Sequence, residues 1–456
     1  MSKTLVRTCI DALVTVQLKD IGDLSALPAP LLKLLLQAAL ESPAALQSCL
    51  SRWPLTVIDL RDCPRLNERN APLLMRLIQE KRTILNVDVS GCPIGVSGTL
   101  ALLRTLLDLH AVSFTSFPRK DWQLGPRRYE AGVFVAHYCS DMYIDTNETL
   151  PLLVRVLSNP QLTNRLSIFG LTFTRAGPHV IRRVLRLLPT DCRLRRFDAG
   201  LNGLNELASL QTFVDILHDV RVLDLQFNRL GWHSRTLVGF KLLSSFPELT
   251  TLHLGASRFT NPKELASLLD AFAIFGERLR DLSLPECYLD AASLHHVLSL
   301  CPGLQRLDLA GNPIQHQSDT DAQLWASAFV TLANLAFLDL SKNQIDVSSL
   351  KIILPSLKNL SMLKSLNLSV NNVLGNGSSG LLALELLGFA SLETVILQRI
   401  SMDVVAFQSL LDLWLLHTDR LPRLKCVDLR FNFTAHQGLP DHLRPYLYRC
   451  PWSIYV

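Results

Sequence analysis

Ten cysteines and twelve histidines are the residues of this 456-residue chain best suited to hold a metal or to act as nucleophile and base. Their spacing argues against both uses. Cys9, Cys49, Cys63, Cys92, Cys139, Cys192, Cys287, Cys301, Cys426 and Cys450 contain no CxxC pair and no Cys/His set at ligand spacing. His295 and His296 fall on a predicted helix, and His233 and His253 on or near strands, all apart from cysteines or carboxylates at such spacing. No GxxxxGK[ST] loop is present, and Asn376 to Gly380 reads as a flexible loop after a strand. No Ser/His/Asp order can be assembled from the sequence, because a nucleophilic triad is defined by geometry. The expectation is a non-enzyme with no cofactor and no metal.

The elements that position these residues are set by a repeat. Leu304, Leu307, Leu309 and Asn312 spell LxxLxLxxN, which returns as Leu335, Leu338, Leu340, Asn343 and as Leu363, Leu366, Leu368, Asn371. Looser units begin at Leu55, Ile84, Leu194, Val220, Leu249, Leu279, Leu392 and Leu424. A unit of roughly 20 to 29 residues with this consensus is the leucine-rich repeat, one short strand plus one helix per coil. Turn positions recur mostly in the high twenties, which leaves room for a full helix after each strand. The expected fold is α/β: a leucine-rich-repeat solenoid, a ribonuclease-inhibitor-like horseshoe. Asn, Ser or Cys at the turn has a scaffold role, satisfying backbone groups where each strand bends away.

Leu265, Leu268, Leu269 and Phe272 make an amphipathic stripe, as do Leu294, Val297, Leu298 and Leu350, Ile353, Leu354, Leu357. These helices form the convex layer. Residues 111–165 lack the consensus; Val133 to Tyr138 reads as a strand with no repeat phase, and Tyr446 to Val456 as a cover for the final coil.

Composition narrows the class. Hydrophobic residues are 48 % and charged residues 19 %, so a large core can form and disorder is excluded. A net charge of +5 with no dense Lys/Arg run gives no support for nucleic acid. Leu27 to Leu40, broken by Lys33 and Gln37, is too short to span a bilayer, and Met1 to Asp11 lacks a secretory pattern. Scattered cysteines fit a reducing compartment. A soluble protein of the cytoplasm and nucleus, without membrane contact, is expected.

Residues 1–54 carry no repeat and form a separate helical head before a repeat domain at 55–456. Thr4, Leu5, Cys9 and Leu13 match the elongin BC-box pattern, with Leu5, Cys9, Ala12 and Leu13 on one helix face. So short a helix needs a partner groove or neighbouring helices. Leu27, Pro28, Leu31 and Leu35 follow, the proline placed as a helix starter, and resemble a cullin 2 box. The order BC-box, Leu-Pro start, Trp53-Pro54, then leucine-rich repeats resembles the head of PRAME-type proteins. That resemblance implies a substrate receptor binding elongin B, elongin C and cullin 2 with its RING subunit, and holding an unknown protein substrate. Leu27-Pro28 with Trp53 also resembles an F-box, which would dock on Skp1, and a plain scaffold or inhibitor is the further alternative.

In each repeat the residue between the last two leucines faces the concave side: Asp59, Asp88, Asp198, Asp224, Asp308, Asp339 and Asp428. This ladder is either scaffold or, beside Phe227, Phe337, Phe431, Arg196 and Arg306, a mixed surface for a partly basic partner.

Overall fold

The computed structural model describes residues 35–40, 42–52, 57–60, 63, 65–80, 86–88, 92, 94, 98, 100–101, 104–105, 113–115, 133–135, 151–152, 154–155, 168–170, 177–188, 192, 194–200 and 202–204. It further describes 207–455 outside 229, 231–239, 260–261, 313–318, 372–381, 383–384, 401 and 433–448. The chain divides into two compact units, Met1–Leu204 with Ser209–Val220, and Asn205–Ala208 with Arg221–Val456.

The first unit opens with helical residues 35–39 and α1 (Pro43–Arg52), before β1 (Val57–Asp59) and α2 (Ala71–Glu80). Leu35, Leu36, Ala39 and Leu46 are buried, and α1 packs on α2. Asn70 Nδ2 donates to Leu40 O (3.2 Å) and Arg65 O (2.7 Å), tying this segment to the first repeat. The strands that follow are β2 (Asn86–Asp88), β3 (Ser113–Thr115), β4 (Val133–Val135), β5 (Ile168–Gly170) and, after α3 (Pro178–Leu185), β6 (Arg196–Asp198). All pair in parallel, with Ile58, Val87, Phe114, Phe134, Phe169 and Phe197 in one register. The stretch the consensus could not phase therefore holds two ordinary strands, β3 and β4, with β5 just beyond it. Phenylalanine stands in place of leucine at the central register position, which hides the pattern.

In the second unit the strands are β7 (Val222–Asp224), β8 (Thr251–His253), β9 (Asp281–Ser283), β10 (Arg306–Asp308), β11 (Phe337–Asp339), β12 (Ser365–Asn367), β13 (Thr394–Ile396), β14 (Cys426–Asp428) and β15 (Ser453–Tyr455). They run parallel in chain order, and their central residues, Leu223 through Val427, are buried. Helices α5 (Pro262–Phe275), α6 (Ala291–Ser299), α7 (Asp319–Val330), α8 (Val347–Lys358) and α9 (Val404–Leu416) return the chain, after α4 (Val214–Leu217) in the first unit. Asp290, Asp346 and Asp403 cap α6, α8 and α9 by accepting from the backbone three residues on.

Two expectations need correction. A full helix does not follow every strand: Leu207–Phe213 and Phe240–Ser245 are 3₁₀ helices. Leu210 and Phe213 are buried three residues apart, which suits the 3₁₀ geometry that stacks i on i+3. The C-terminal segment does not merely cover the last coil but adds β15 to it. Trp452 then packs edge-on against Trp414 of α9, ring centroids 6.2 Å apart.

Strands of three residues cannot hold the chain alone, and the turn side chains complete them. Asn312 Nδ2 donates to Leu284 O (2.7 Å) and Leu309 O (3.0 Å) while its Oδ1 accepts from Cys287 N (3.0 Å). Asn343 Oδ1 accepts from Asn312 N at 2.6 Å, and Asn371 Oδ1 from Asn343 N at 2.9 Å and Ile345 N at 3.0 Å. Asn432 repeats the pattern on Leu397, Leu429 and Ile400. Where cysteine stands instead, the thiol donates to the preceding coil: Cys92 Sγ to Leu60 O (3.0 Å), Cys287 Sγ to Leu254 O (3.4 Å). The scaffold reading of these positions accounts for every one of these bonds.

Just before each turn residue the chain passes through the left-handed region, at Phe227, Ala256, Glu286, Gly311, Lys342, Val370, Arg399 and Phe431, with φ between 51° and 70°. At six of them, from Phe227 to Val370, the amide at that position bonds the next coil, as Lys342 N does to Ser369 O at 2.9 Å. Asn371→Ala strands the Leu340 and Leu368 carbonyls and two amides in a buried site. At about 1 to 3 kcal/mol for an unsatisfied buried group, a loss of ~3 kcal/mol is expected as a lower urea midpoint, with Asn343 and Ile345 amides losing hydrogen-exchange protection first.

Candidate functional site

The face of the sheet opposite the leucines carries whatever chemistry the repeats offer. In the second unit the column at the last strand position reads Asp224, His253, Ser283, Asp308, Asp339, Asn367, Ile396 and Asp428. One oxygen of each acid has a local backbone task. Asp224, Asp308, Asp339 and Asp428 accept through Oδ1 from the amide two residues on, at 2.8 to 3.1 Å, and Asn367 does the same to Ser369 N. These are Asx turns that end each strand. The second oxygen reaches sideways: Asp308 accepts from Ser283 Oγ (3.2 Å), Asp339 from Asn367 Nδ2 (2.7 Å), and Asp428 from Gln398 Nε2 (2.7 Å) and Arg430 Nη2 (2.6 Å).

Asp224, His253 and Ser283 lie in register on three adjacent strands and have the residue types of a nucleophilic triad. Their bonds are different. His253 Nδ1 stands 4.0 Å from Asp224, its Nε2 is 3.5 Å from Asp281, and the Ser283 hydroxyl donates to Asp308. The serine is thus turned toward a carboxylate and not toward the imidazole.

The next column holds Thr251, Asp281, Arg306, Phe337, Ser365, Thr394 and Cys426. Arg306 approaches Asp281 (Nε to Oδ2, 3.5 Å) and lays its guanidinium 4.2 Å from the Phe337 ring centre. Farther along, Arg399 stacks over Phe431 at 5.3 Å and Arg430 over Tyr455 at 5.9 Å. In the first unit Arg196 and Asp198 form a buried pair at 2.7 Å. Asp59 and Asp88 occupy the matching strand positions of β1 and β2.

Burial, and then the neighbouring Asp339, push the Asp308 carboxyl up to about 6. Burial opposes ionisation of Asp428 too, but its hydrogen bonds to Arg430 leave it below the usual carboxylate range. Burial raises the Cys287 and Cys301 thiols, and Cys450 to about 11, which makes them poor nucleophiles. Among the described residues, no group of three His, Cys, Asp or Glu side chains is placed to hold a metal, and no helix is long and apolar enough to cross a membrane. His295 and His296 sit on α6, half-buried and exposed.

Of the expected partner-facing residues, Asp224, Arg306, Asp308, Phe337, Asp339 and Asp428 share the open sheet face, and Phe227 and Phe431 the left-handed turn beside it. Sequence reasoning missed Asp281, His253, Arg399, Arg430 and Tyr455. Asp281 shares the Arg306 column, and Arg399 shares the column of Phe227 and Phe431, so counting one residue further in each repeat would have found them. Of the adaptor residues, Thr4, Leu5, Cys9, Leu13, Leu27, Pro28 and Leu31 lie outside the described residues. Leu35 is described, and at 2 % exposure its side chain belongs to the core that joins the head helix to the repeats.

Parallel three-residue strands, turn asparagines and returning helices define a leucine-rich-repeat protein. By sequence, residues 210–318 match the model for the LRR repeats of FBD-associated F-box protein At5g56370. No curated protein matches. A solved structure of the yeast Rad7 and Elc1 complex is similar over 99 % of this chain and 92 % of its own, with 13 % identity and a TM-score of 0.51. The leucine-rich-repeat-containing protein LegL7 of Legionella pneumophila covers 61 % of this chain and 87 % of its own at 18 % identity and a TM-score of 0.41. An internalin of Listeria monocytogenes covers 89 % and 98 % at 15 % identity and 0.33. At these identities the likeness is one of fold.

The raised Asp308 carboxyl fixes the sign of one pH effect. Its folded value lies above the unfolded one, so its contribution is fully present below about pH 4 and lost as pH rises through about 6. Asp308→Asn keeps the Asx turn, as Asn367 does at the equivalent place, and removes the repulsion. The variant should gain ~2 kcal/mol over the parent at pH 7.5 and nothing at pH 4, read as the difference between urea midpoints at the two pH values.

Proposed function

We propose that the chain is the substrate-recognition subunit of an elongin BC–cullin 2 ubiquitin ligase. The single observation that carries the reading is the order of parts. A head with Thr4, Leu5, Cys9 and Leu13 in the BC-box pattern, followed at a longer separation by a Leu27-Pro28 segment that resembles a cullin 2 box, precedes the leucine-rich repeats. The repeats supply a partner-holding face built from Arg306, Phe337, Phe227 and Phe431 among structural aspartates. Catalysis belongs to other subunits; this chain acts by proximity, raising the local concentration of a bound substrate near the ligase. Elongin B, elongin C and cullin 2 with its RING subunit are the partners, in the cytoplasm and nucleus.

Two findings bear on the adaptor. A chain of this fold has been captured in the Rad7 and Elc1 complex of yeast, so a repeat protein of this length carrying a partner has a precedent. The F-box protein match favours a second reading in which Leu27-Pro28 and Trp53 form an F-box docking on Skp1, but it covers residues 210–318 and not the head. Leu35 enters either reading as a packing residue that anchors the docking helices and not as a contact.

Burying a leucine is worth roughly 1.5 to 3 kcal/mol, a factor of about ten to a hundred in affinity. Leu5→Ala with Cys9→Phe should therefore abolish co-purification of elongins B and C from cells, with the melting temperature unchanged. Retained elongins would sink the proposal, and recovery of Skp1 in their place would select the F-box reading.

A further inference from the structure

The C-terminal strands of the second unit carry a surface unlike the rest of the sheet face. Over β9 to β11 the exposed and half-buried charges are chiefly acidic: Asp281, Glu286, Asp308 and Asp339 against Arg306 and Lys342. Over β13 to β15 the sign reverses. Arg399 is exposed, and its guanidinium lies over the Phe431 ring. Arg430 grips Asp428 through Nε and Nη2, leaving the remainder of the guanidinium in solvent above Tyr455. Phe431 and Tyr455 are 62 % and 52 % exposed, so each cation lies on an aromatic ring that is itself open to water.

The backbone adds a second observation. Arg399 and Phe431 stand at φ 51° and 65°, where Gly311 occupies the equivalent place without strain. Folding would be served at least as well by glycine at both positions. The large side chains are kept in a costly conformation at a place where they face outward.

We propose that Arg399, Arg430, Phe431 and Tyr455 form a docking surface for an acidic segment of a partner protein, one that sets carboxylates beside an aromatic side chain. Stacking on Phe431 and Tyr455 fixes the guanidinium planes before binding, so little side-chain freedom is left to lose. Carboxylates of the segment pair with the open edges of Arg399 and Arg430, and its aromatic ring covers Phe431. The acidic stretch over β9 to β11 repels such a segment and confines it to the C-terminal coils. The inference deepens the reading of the repeat face as partner-holding and is independent of which adaptor binds the head.

The test uses the full chain and fluorescein-labelled poly(Glu,Tyr), with poly(Lys,Tyr) and an oligothymidylate as comparison probes. Poly(Glu,Tyr) should bind, and Arg399→Gly with Phe431→Gly should weaken it at least about tenfold, the loss expected for removed anchor residues. The glycine pair should leave the melting temperature unchanged or raised. Arg399→Asn with Phe431→Asn, which also tolerates the left-handed turn, gives the same loss by a second route. Asp308→Asn should leave binding intact. No binding of poly(Glu,Tyr), equal binding by both double variants, or tighter binding of either comparison probe overturns the proposal. Because elongin capture is read separately on Leu5, loss of peptide binding with elongin retained refutes this surface alone. The reverse refutes the adaptor alone.

Discussion

The structure depends on how the chain's backbone groups are satisfied where each coil bends out of its strand. A three-residue strand offers its neighbours few ladder bonds, so the bend would leave carbonyls and amides buried and unpaired. The turn asparagine resolves this by bonding its own coil and the preceding one together, as Asn371 does with Leu368 O at 3.0 Å and Leu340 O at 2.8 Å. Each coil is thereby completed by the next, which is the nearest-neighbour logic of repeat proteins. The same logic explains the ends. Residues 35–52 close the open side of the first repeat with Leu35, Leu36 and Leu46, and Trp452 carries β15 onto the last helix.

That constraint divides aspartates from the side chains available to a partner. A column of acids looks like a binding signature, but in Asp224, Asp308, Asp339 and Asp428 one oxygen ends a strand and the other is held by a side chain such as Ser283, Asn367 or Gln398. Charge at this column therefore contributes mainly to geometry. Other side chains stack outward, among them Arg258 on Tyr288, Arg306 on Phe337, Arg399 on Phe431 and Arg430 on Tyr455.

The repeat was legible because a buried leucine column and a turn asparagine are obligatory, and periodic obligation is visible in one sequence. Leu304, Leu335 and Leu363 all prove fully buried. The strand at Val133 was legible but not its repeat phase, and those at 113–115 and 168–170 were not, because Phe114, Phe134 and Phe169 meet the same register with a different residue and without the flanking consensus. Two 3₁₀ segments were missed for a related reason: a spacing that fits a helix does not say how tightly the helix winds. Asp224, Arg306, Asp308, Phe337, Asp339 and Asp428 were read from the strand columns, while His253 and Tyr455 stand in the aspartate column itself, where a different residue type hid them. The left-handed conformation that marks Arg399 and Phe431 has no signature when glycine is absent.

Positions with φ between 51° and 70° favour glycine, and an L-residue there carries a cost of about 1 to 2 kcal/mol. Seven of the eight such turns in the second unit nevertheless hold other residues, among them the β-branched Val370. From Phe227 to Val370 the amide at the left-handed residue bonds the next coil, as Val370 N does to Gln398 O at 2.8 Å, and Asn371 clamps both sides of its turn; beside Arg399 it is the Ile400 amide that is held, by Asn432. Scaffold and recognition are thus separated by column. The leucine column, the turn asparagines and the strand-end aspartates answer to folding. The left-handed column is released from that requirement by the bonds on either side, and its side chains run from Phe227 through Glu286 and Lys342 to Arg399 and Phe431. A fold that fixes the main chain so completely can place any side chain at this edge, and so the chemistry found there reflects what the surface must meet.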